Sequence, residues 1–235
     1  HNPFVVEQLK QKGVLVEEDI DKIQSGTVVI RSHGVGQNIY TKLQDKKLNI
    51  IDATCPFVKR IHKLVKQYSD KGYNIIIVGE REHPEVKGIN GWCDNRAYII
   101  YNDEDLENIP CFQKACVVAQ TTITQARWNN LIEKLYDKVD DIKIFNTICH
   151  TTSKRQTEAE KIAKQADIMF VIGGKNSSNT KKLYSICKAY CEKTFAIENA
   201  KEINYKVIKS GDVIGITAGA STPDCIIREV VNKME

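Results

Sequence analysis

Short apolar runs alternate along the chain with longer segments in which apolar positions recur every three or four residues. Nine of the runs are expected to form strands, because continuous apolar runs suit parallel strands that are buried on both faces. The predicted strands cover residues 27–31, 48–52, 74–79, 97–101, 115–120, 142–146, 168–173, 194–197 and 212–217.

The segments between these runs have the spacing of amphipathic helices. Several are followed by a glycine, as at Lys12-Gly13 and Lys71-Gly72, which is typical of a left-handed helix C-terminus. Alternation of strands and helices predicts an α/β protein with parallel sheets. The predicted helices cover residues 3–12, 36–46, 56–71, 124–137, 151–165, 177–193 and 223–234.

Charge and hydropathy exclude several classes of partner. The 235 residues carry a net charge of +4, and the basic residues are scattered in pairs such as Lys46-Lys47 and Lys181-Lys182, so we expect no nucleic-acid partner. The longest apolar run, Ile75-Ile76-Ile77-Val78, is far shorter than the about 18 residues of a membrane span, so we expect no membrane insertion.

The eight cysteines are expected to be free thiols. A long chain with enough apolar residues for a core, and with no visible secretory signal, indicates a reducing cytoplasm rather than a disulfide framework. Most of the cysteines are expected to be buried as small hydrophobes. Cys187 and Cys191 lie in a helical pattern without a second ligand pair, so a core position is favoured there over a zinc site.

Four prolines follow a polar residue or a cysteine at the start of a predicted helix, and proline favours the first helical turn. They place His1, Cys55, His83 and Ser221 at strand-to-helix corners, where open parallel sheets bind ligands and helix N-termini attract anions. Helix capping alone explains Ser221 well, but it explains histidine poorly because histidine is not a preferred cap.

The order of strand, cysteine, helix, strand and polar loop occurs twice. Cys55 precedes His83 by 28 residues, and Cys149 precedes Ser177 by 28. The opening of the chain matches the later part of the same plan, with Ser32-His33-Gly34 in place of the polar loop. The sequence therefore predicts three similar α/β units: a partial first unit over 1–54, incomplete at its N-terminus, a second over 55–148 and a third over 149–235.

Pseudo-threefold packing of such units would bring three cysteines to one centre. Three thiolates suit an iron–sulfur cluster with one iron open to a substrate, and the surrounding donors suit a diphosphate. By the same spacing, a third cysteine is expected about 28 residues before His1. Glu85 is a candidate proton carrier with a raised pKa, although a helix-first-turn glutamate explains it equally well. The residues predicted to surround this centre are His1, His33, His83, Thr121, Ser177, Ser178, Asn179 and Ser221.

Together these motifs resemble the 4-hydroxy-3-methylbut-2-enyl diphosphate reductase family, over the whole chain. The motifs that carry the resemblance are His1-Asn2-Pro3, Ser32-His33-Gly34-Val35, Asp52-Ala53-Thr54-Cys55-Pro56, His83-Pro84-Glu85-Val86, Gln120-Thr121-Thr122, Lys154-Arg155-Gln156, Gly174-Lys175-Asn176-Ser177-Ser178-Asn179 and Ala218-Gly219-Ala220-Ser221.

The resemblance implies a trefoil of three α/β domains around a [4Fe-4S] cluster, with Cys55 and Cys149 as two of its ligands. It implies reductive removal of the substrate's hydroxyl to give isopentenyl and dimethylallyl diphosphate in the methylerythritol phosphate pathway, with electrons from a ferredoxin- or flavodoxin-type protein. Glu85 would deliver the proton and Thr121 would place the substrate hydroxyl. The residues that would hold the diphosphate are His1, His33, His83, Ser177, Ser178, Asn179 and Ser221.

One family motif, an N-terminal Phe-Cys-x-Gly stretch with the first cysteine ligand, does not occur in the sequence. With two of three thiolates, this chain as given is expected to be inactive, with a degraded cluster or none. Two other functions are open on the residues alone. One is a diphosphate-binding regulatory module without redox chemistry, and the other is a zinc- or thiol-dependent hydrolase that uses Cys55 or Cys149 with His33 or His83.

Overall fold

Parallel β-sheets flanked by helices make up the computed structural model, which describes residues 2–234. The predicted site residue His1 therefore lies outside the described residues. One compact unit consists of residues 17–149, and a second consists of residues 2–16 with 150–234. Within the described chain, no helix has both the length and the apolar character needed to span a membrane.

The strands and helices alternate along the chain as the hydrophobic pattern predicts. The strands are β1 (Thr27–Ile30), β2 (Asn49–Asp52), β3 (Asn74–Val78), β4 (Tyr98–Ile100), β5 (Phe112–Ala119), β6 (Val139–Phe145), β7 (Ile168–Ile172), β8 (Thr194–Ile197) and β9 (Ile214–Ala218). The helices are α1 (Pro3–Gln11), α2 (Gln37–Asp45), α3 (Pro56–Asp70), α4 (Pro84–Asn90), α5 (Asp103–Glu107), α6 (Gln125–Leu135), α7 (His150–Ala163), α8 (Ser178–Tyr190) and α9 (Asp224–Asn232).

The unit of residues 17–149 contains two parallel sheets, β1-β2 and β4-β3-β5-β6. The central strand β3 is buried on both faces because its side chains alternate. Ile75 and Ile77 pack in a core with Val65 of α3 and Val86 of α4. The intervening Ile76 belongs to a second core on the other face, with residues of α5 and α6.

The unit of residues 2–16 and 150–234 contains the parallel sheet β8-β7-β9. Its central strand β7 is likewise buried on both faces. Phe170 packs with α9, whereas Met169 and Val171 pack with α7 and α8. Cys187 and Cys191 belong to this second core, as the helical pattern predicts.

Each of the two larger sheets has an equivalent hydrogen bond at the end of its central strand. The first residue after β5, Gln120, donates its N–H to the carbonyl of Val78 at 2.9 Å, and the first residue after β9, Gly219, donates to Ile172 at 2.8 Å. Both central strands also continue into a loop and a helix, α4 or α8. The predicted α/β class and its similar units of parallel sheet are confirmed. The unit boundaries at 54/55 and 148/149 stay predictions.

All nine predicted strands are present, and their ends shift by at most a few residues. Two short helices, α4 and α5, are absent from the predicted list. Helix α5 has a single buried residue, Leu106, and begins instead with a capping box between Asn102 and Asp105. A helix held by its cap rather than by an apolar stripe gives no periodic signal.

Candidate functional site

Cys55 is placed by a turn at the end of β2. The carboxylate of Asp52 accepts a hydrogen bond from the Thr54 N–H at 3.0 Å, and the Cys55 N–H then donates to the Ser32 carbonyl, after β1, at 2.9 Å. Burial raises the pKa of Asp52, but the Lys59 ammonium at 2.7 Å and the Thr54 N–H outweigh it and lower this pKa to about 2. The turn residue is therefore anionic at neutral pH.

Cys149 is placed by the same device at the end of β6. Asn146 accepts from the Ile148 N–H at 3.2 Å through its side-chain oxygen, and the Cys149 N–H donates to the Thr121 carbonyl, after β5, at 2.9 Å. Aspartate and asparagine favour such turns because their short side chains reach the backbone two residues on. Cys55 and Cys149, the two predicted ligands, therefore follow equivalent turns at the ends of their strands.

The chemistry of these two thiols fits the iron–sulfur cluster that the resemblance implies. Cys55 and Cys149 are both free and partly exposed, whereas buried cysteines such as Cys116 lie in the core. Among residues 2–234 there is no group of three or more histidine, cysteine, aspartate or glutamate side chains that could hold a metal ion. Cys55 and Cys149 are accordingly two accessible thiols that could each serve as one ligand of such a cluster.

Glu85 and Thr121 form a buried pair. Glu85 is in the first turn of α4 and only 4% exposed, and Thr121 follows β5. Thr121 donates twice to the carboxylate, from its N–H to Oε1 at 2.6 Å and from its hydroxyl to Oε2 at 2.7 Å. A carboxylate held by two donors cannot rotate freely, so its oxygens are fixed beside the Thr121 hydroxyl.

His83 is the N-cap of α4, which corrects the expectation that capping explains a histidine poorly. Its Nδ1 accepts the Glu85 N–H at 3.1 Å. Since a backbone N–H can only donate, Nδ1 carries no proton, and the neutral ring has its N–H at Nε2. The cap thereby turns a donor nitrogen away from the helix and fixes the backbone of Glu85.

His33 has the opposite tautomer. Its Nδ1 lies 2.9 Å from the Gly34 carbonyl, which can only accept, so Nδ1 carries the proton and Nε2 the lone pair. Burial lowers the pKa of His33 below 6.5, and the carbonyl contact only partly opposes this. His33 is therefore neutral at pH 7, with an acceptor at Nε2.

The loop that carries His33 is packed against a histidine that the sequence interpretation missed. The His62 ring, 2% exposed on α3, lies directly beside Gly34 and stacks on Trp92 with 5.1 Å between ring centroids. The Trp92 indole N–H donates to the Val35 carbonyl at 3.0 Å. A histidine within a helical pattern looks like any partly polar core position, so spacing carried no signal for it.

In the other unit, the polar segment after β7 forms the start of α8. Ser177 is the N-cap, and its hydroxyl accepts the Thr180 N–H at 3.3 Å. Ser178 and Asn179 lie in the first turn and are buried. Both side-chain polar atoms of Asn179 lack a hydrogen-bond partner among the described residues. Buried polar groups are almost always satisfied, so this amide fits a ligand contact.

Ser221 lies after β9 and is exposed, and it does not cap a helix. The N-cap of α9 is Pro223, whose predecessor Thr222 is buried and donates its hydroxyl to the Ile172 carbonyl at 3.0 Å. The expectation that capping explains Ser221 is therefore wrong, because the proline extends the loop by two residues before the helix begins. The side chain of Ser221 is therefore exposed to solvent or a ligand.

A family model and curated relatives that resemble this chain all point to one family. The family model described as "LytB protein" matches residues 1–235. A protein of Caldanaerobacter subterraneus named 4-hydroxy-3-methylbut-2-enyl diphosphate reductase is 50% identical over all of this chain and 83% of its own length. A protein of the same name from Clostridioides difficile is 48% identical over all of this chain and 85% of its own.

The solved structures that resemble this chain carry reductase titles of the same kind. A structure titled as (E)-4-hydroxy-3-methyl-but-2-enyl diphosphate reductase, the terminal enzyme of the non-mevalonate pathway, is 38% identical, covers all of this chain and 84% of its own, and has a TM-score of 0.69. The E-1-hydroxy-2-methyl-but-2-enyl-4-diphosphate reductase of Plasmodium falciparum is 28% identical, covers 99% of this chain and 74% of its own, and has a TM-score of 0.92.

Proposed function

This chain belongs to the LytB protein family, and on that premise we propose that it is an oxidoreductase, a 4-hydroxy-3-methylbut-2-enyl diphosphate reductase of isoprenoid biosynthesis. The substrate's hydroxyl leaves as water while two electrons and two protons are taken up, which yields isopentenyl and dimethylallyl diphosphate. Two electrons replace the C–O bond by a C–H bond, and the two protons complete the water and that C–H bond.

The buried pair of Glu85 and Thr121 is the observation that carries this proposal. A dehydroxylation needs a proton at the leaving oxygen, and a carboxyl group excluded from water is suited to hold one. When Glu85 is protonated, the Thr121 hydroxyl can accept from it and direct its own hydrogen to a substrate hydroxyl. The 2.7 Å contact between Thr121 Oγ1 and Glu85 Oε2 supports this arrangement.

We propose that Cys55 and Cys149 are two of the ligands of a [4Fe-4S] cluster. Their partial exposure and their equivalent turns support this assignment. When bound, such a cluster supplies the electrons and an iron with an open position that polarises the substrate oxygen. The thiols' part is to hold that group, and the backbone bonds of both cysteines to neighbouring loops keep them in place.

We further propose that histidine, serine and asparagine side chains bind the substrate's diphosphate. His83 has its ring N–H at Nε2, and Asn179 has a buried amide that lacks a hydrogen-bond partner among the residues the structure describes. Donors at helix starts suit an anion. The proposed diphosphate-binding residues are His1, which lies outside the described residues, His33, His83, Ser177, Ser178, Asn179 and Ser221.

The electron donor is proposed to be a small protein of the ferredoxin or flavodoxin type in the cytoplasm. Such donors are acidic, and the net charge of +4 favours an encounter with them. This part of the proposal rests on the resemblance and on charge.

The test is anaerobic reconstitution of the natural full-length protein with iron and sulfide, followed by assay with 4-hydroxy-3-methylbut-2-enyl diphosphate and a chemical reductant. We expect a brown protein with a visible charge-transfer band, and mass spectrometry is expected to detect both five-carbon diphosphates. A protein that stays colourless and binds pyrophosphate would support the regulatory module instead, and zinc in the metal analysis would support the hydrolase.

A further inference from the structure

Ser221 lies in a tight turn that follows β9. The turn spans residues 219–222 and is closed by a hydrogen bond from the Thr222 N–H to the Gly219 carbonyl at 2.9 Å. Both ends of the turn bond one acceptor, the Ile172 carbonyl at the end of β7. The Gly219 N–H donates to it at 2.8 Å, and the Thr222 hydroxyl donates to it at 3.0 Å. The turn that contains Ser221 is therefore attached to the sheet at two points.

Thr180, in the first turn of α8, packs against this turn at Gly219. A Cβ atom at Gly219 would lie only 2.4 Å from Thr180 Oγ1, so the close approach requires a glycine. The same hydroxyl oxygen lies against Gly173, the first residue after β7, where a Cβ atom would be 2.5 Å away. The segments that follow β7 and β9 thus both contact one threonine side chain.

The Thr180 side chain contributes packing rather than a hydrogen bond. It is 2% exposed, and its Oγ1 has no hydrogen-bond partner among residues 2–234. A threonine side chain is stiff because it branches at Cβ, so a buried threonine cannot easily turn away from a neighbour. The distance between α8 and the turn of residues 219–222 is therefore limited by the size of this side chain.

We propose that Thr180 is a positioning residue that sets how closely the turn of residues 219–222 approaches α8, so that Ser221 and Asn179 can bind one anion together. This inference rests on the proposed function, in which both residues bind the diphosphate. Asn179 directly precedes Thr180, and both polar atoms of its side chain lack a hydrogen-bond partner in the described part of the chain. Groups on two separate segments bind one ligand well only when packing fixes their spacing.

The test is a pair of substitutions that first create and then relieve a clash between the two segments. Gly219→Ala adds a Cβ atom 2.4 Å from Thr180 Oγ1, while the other neighbours of this Cβ lie at 3.5 Å or more. Thr180→Ala in the same chain removes Oγ1 and makes room for the added Cβ. The probe is inorganic pyrophosphate, and its Kd is measured by calorimetry on the full-length protein.

We expect Gly219→Ala to raise this Kd about tenfold, as loss of one hydrogen bond to a charged group does. Thr180→Ala alone should raise it by a smaller factor, and the double variant should bind nearly as tightly as the wild type. The two changes are thus expected to be strongly non-additive. In the reductase assay, Gly219→Ala should raise KM with little change in kcat, since diphosphate contacts are equal in ground and transition states.

Two further variants separate packing from other effects. Thr180→Val keeps the shape of threonine without its hydroxyl, so it should bind pyrophosphate more tightly than Thr180→Ala. Gly215→Ala controls for general loss of stability, because its Cβ would meet Met169 and Ile162 within the sheet and not Thr180. It is expected to lower the free energy of unfolding in urea without a change in the Kd of the folded protein.

The inference would be overturned if Gly219→Ala bound pyrophosphate as the wild type does, or if Thr180→Ala did not restore binding in the Gly219→Ala protein. If Gly219→Ala does not fold, the comparison of Thr180→Val with Thr180→Ala decides, and equal losses would contradict a packing role. A wild-type protein that binds no pyrophosphate would also overturn it. Failure of the proposed function is distinct, because the wild type would then bind pyrophosphate with the same dependence on Thr180 but would not reduce the substrate.

Discussion

The His62 ring stacks on Trp92 with an interplanar angle of 19° and centroids 5.1 Å apart. The ring also lies against Gly34, where a Cβ atom would be only 2.5 Å from it. Trp92 in turn bonds the Val35 carbonyl. Helix α3 and the segment that follows α4 therefore both contact the loop of His33, and α4 also carries Glu85.

Stability at mildly acidic pH is expected to depend on His62. Burial lowers its pKa from 6.5 to about 4, so between these values the unfolded chain binds a proton that the folded chain does not. The contribution of neutral His62 is fully present above pH 6.5 and is lost progressively as the pH falls to about 4, where the total loss is about 3 kcal/mol.

His62→Phe keeps the stack on Trp92 and removes the titration. We expect its free energy of unfolding in urea to fall less steeply than that of the wild type between pH 6.5 and 4. Measurements at pH 8, where His62 is neutral in both states, give the packing difference alone and serve as the control. Parallel pH curves for the two proteins would exclude His62 as the source of the slope.

Gly34→Ala is expected to destabilise the unit of residues 17–149. Gly34 has a φ of +69°, and an added Cβ would meet the His62 ring. Gly72→Ala is the matched control, because its φ is +74° but its Cβ would make only ordinary contacts with the flexible Lys114 side chain. Left-handed strain costs each variant about 1 kcal/mol.

The difference between the two alanine variants in urea unfolding measures the clash with His62. We expect Gly34→Ala to lose clearly more stability and to bind pyrophosphate more weakly, since His33 moves with its neighbour. If both variants lose the same amount, the His33 loop is not held by His62.

Local and non-local features differ in how far the sequence predicts them. The apolar runs predict β3 and β7 because a strand buried on both faces needs nothing else. The contact of Glu85 with Thr121 spans 36 residues, and the motifs name both residues without showing that they are bonded. Likewise, no local pattern distinguishes Lys182 from Lys181. In the structure Lys182 is buried and Lys181 is exposed, because their burial depends on how the whole of α8 packs.

Loss of the Glu85 carboxyl is expected to abolish nearly all turnover. Glu85→Gln has the same shape, and its amide can still bond the Thr121 N–H and hydroxyl, so the fold and the cluster spectrum are expected to stay unchanged. Removal of a general acid costs about a hundredfold or more in kcat. The control is Glu82→Gln, which changes an exposed carboxylate that lies just before α4 and pairs with Lys87. Turnover near wild type in Glu85→Gln would show that another group delivers the proton.

Diphosphate binding is expected to take up a proton at His33. Burial holds the pKa of the free side chain below 6.5, and a bound anion would favour the imidazolium and raise this pKa. The affinity for the diphosphate should consequently fall as the pH rises through the pKa of His33 in the bound state.

Calorimetry of pyrophosphate binding at pH 7, in buffers of different ionisation enthalpy, counts the protons taken up. His33→Asn keeps a donor for the Gly34 carbonyl but cannot titrate, and the titration of pyrophosphate itself is common to both proteins. We expect the wild type to take up more protons than His33→Asn, by at most one, and equal uptake would mean that His33 stays neutral in the complex.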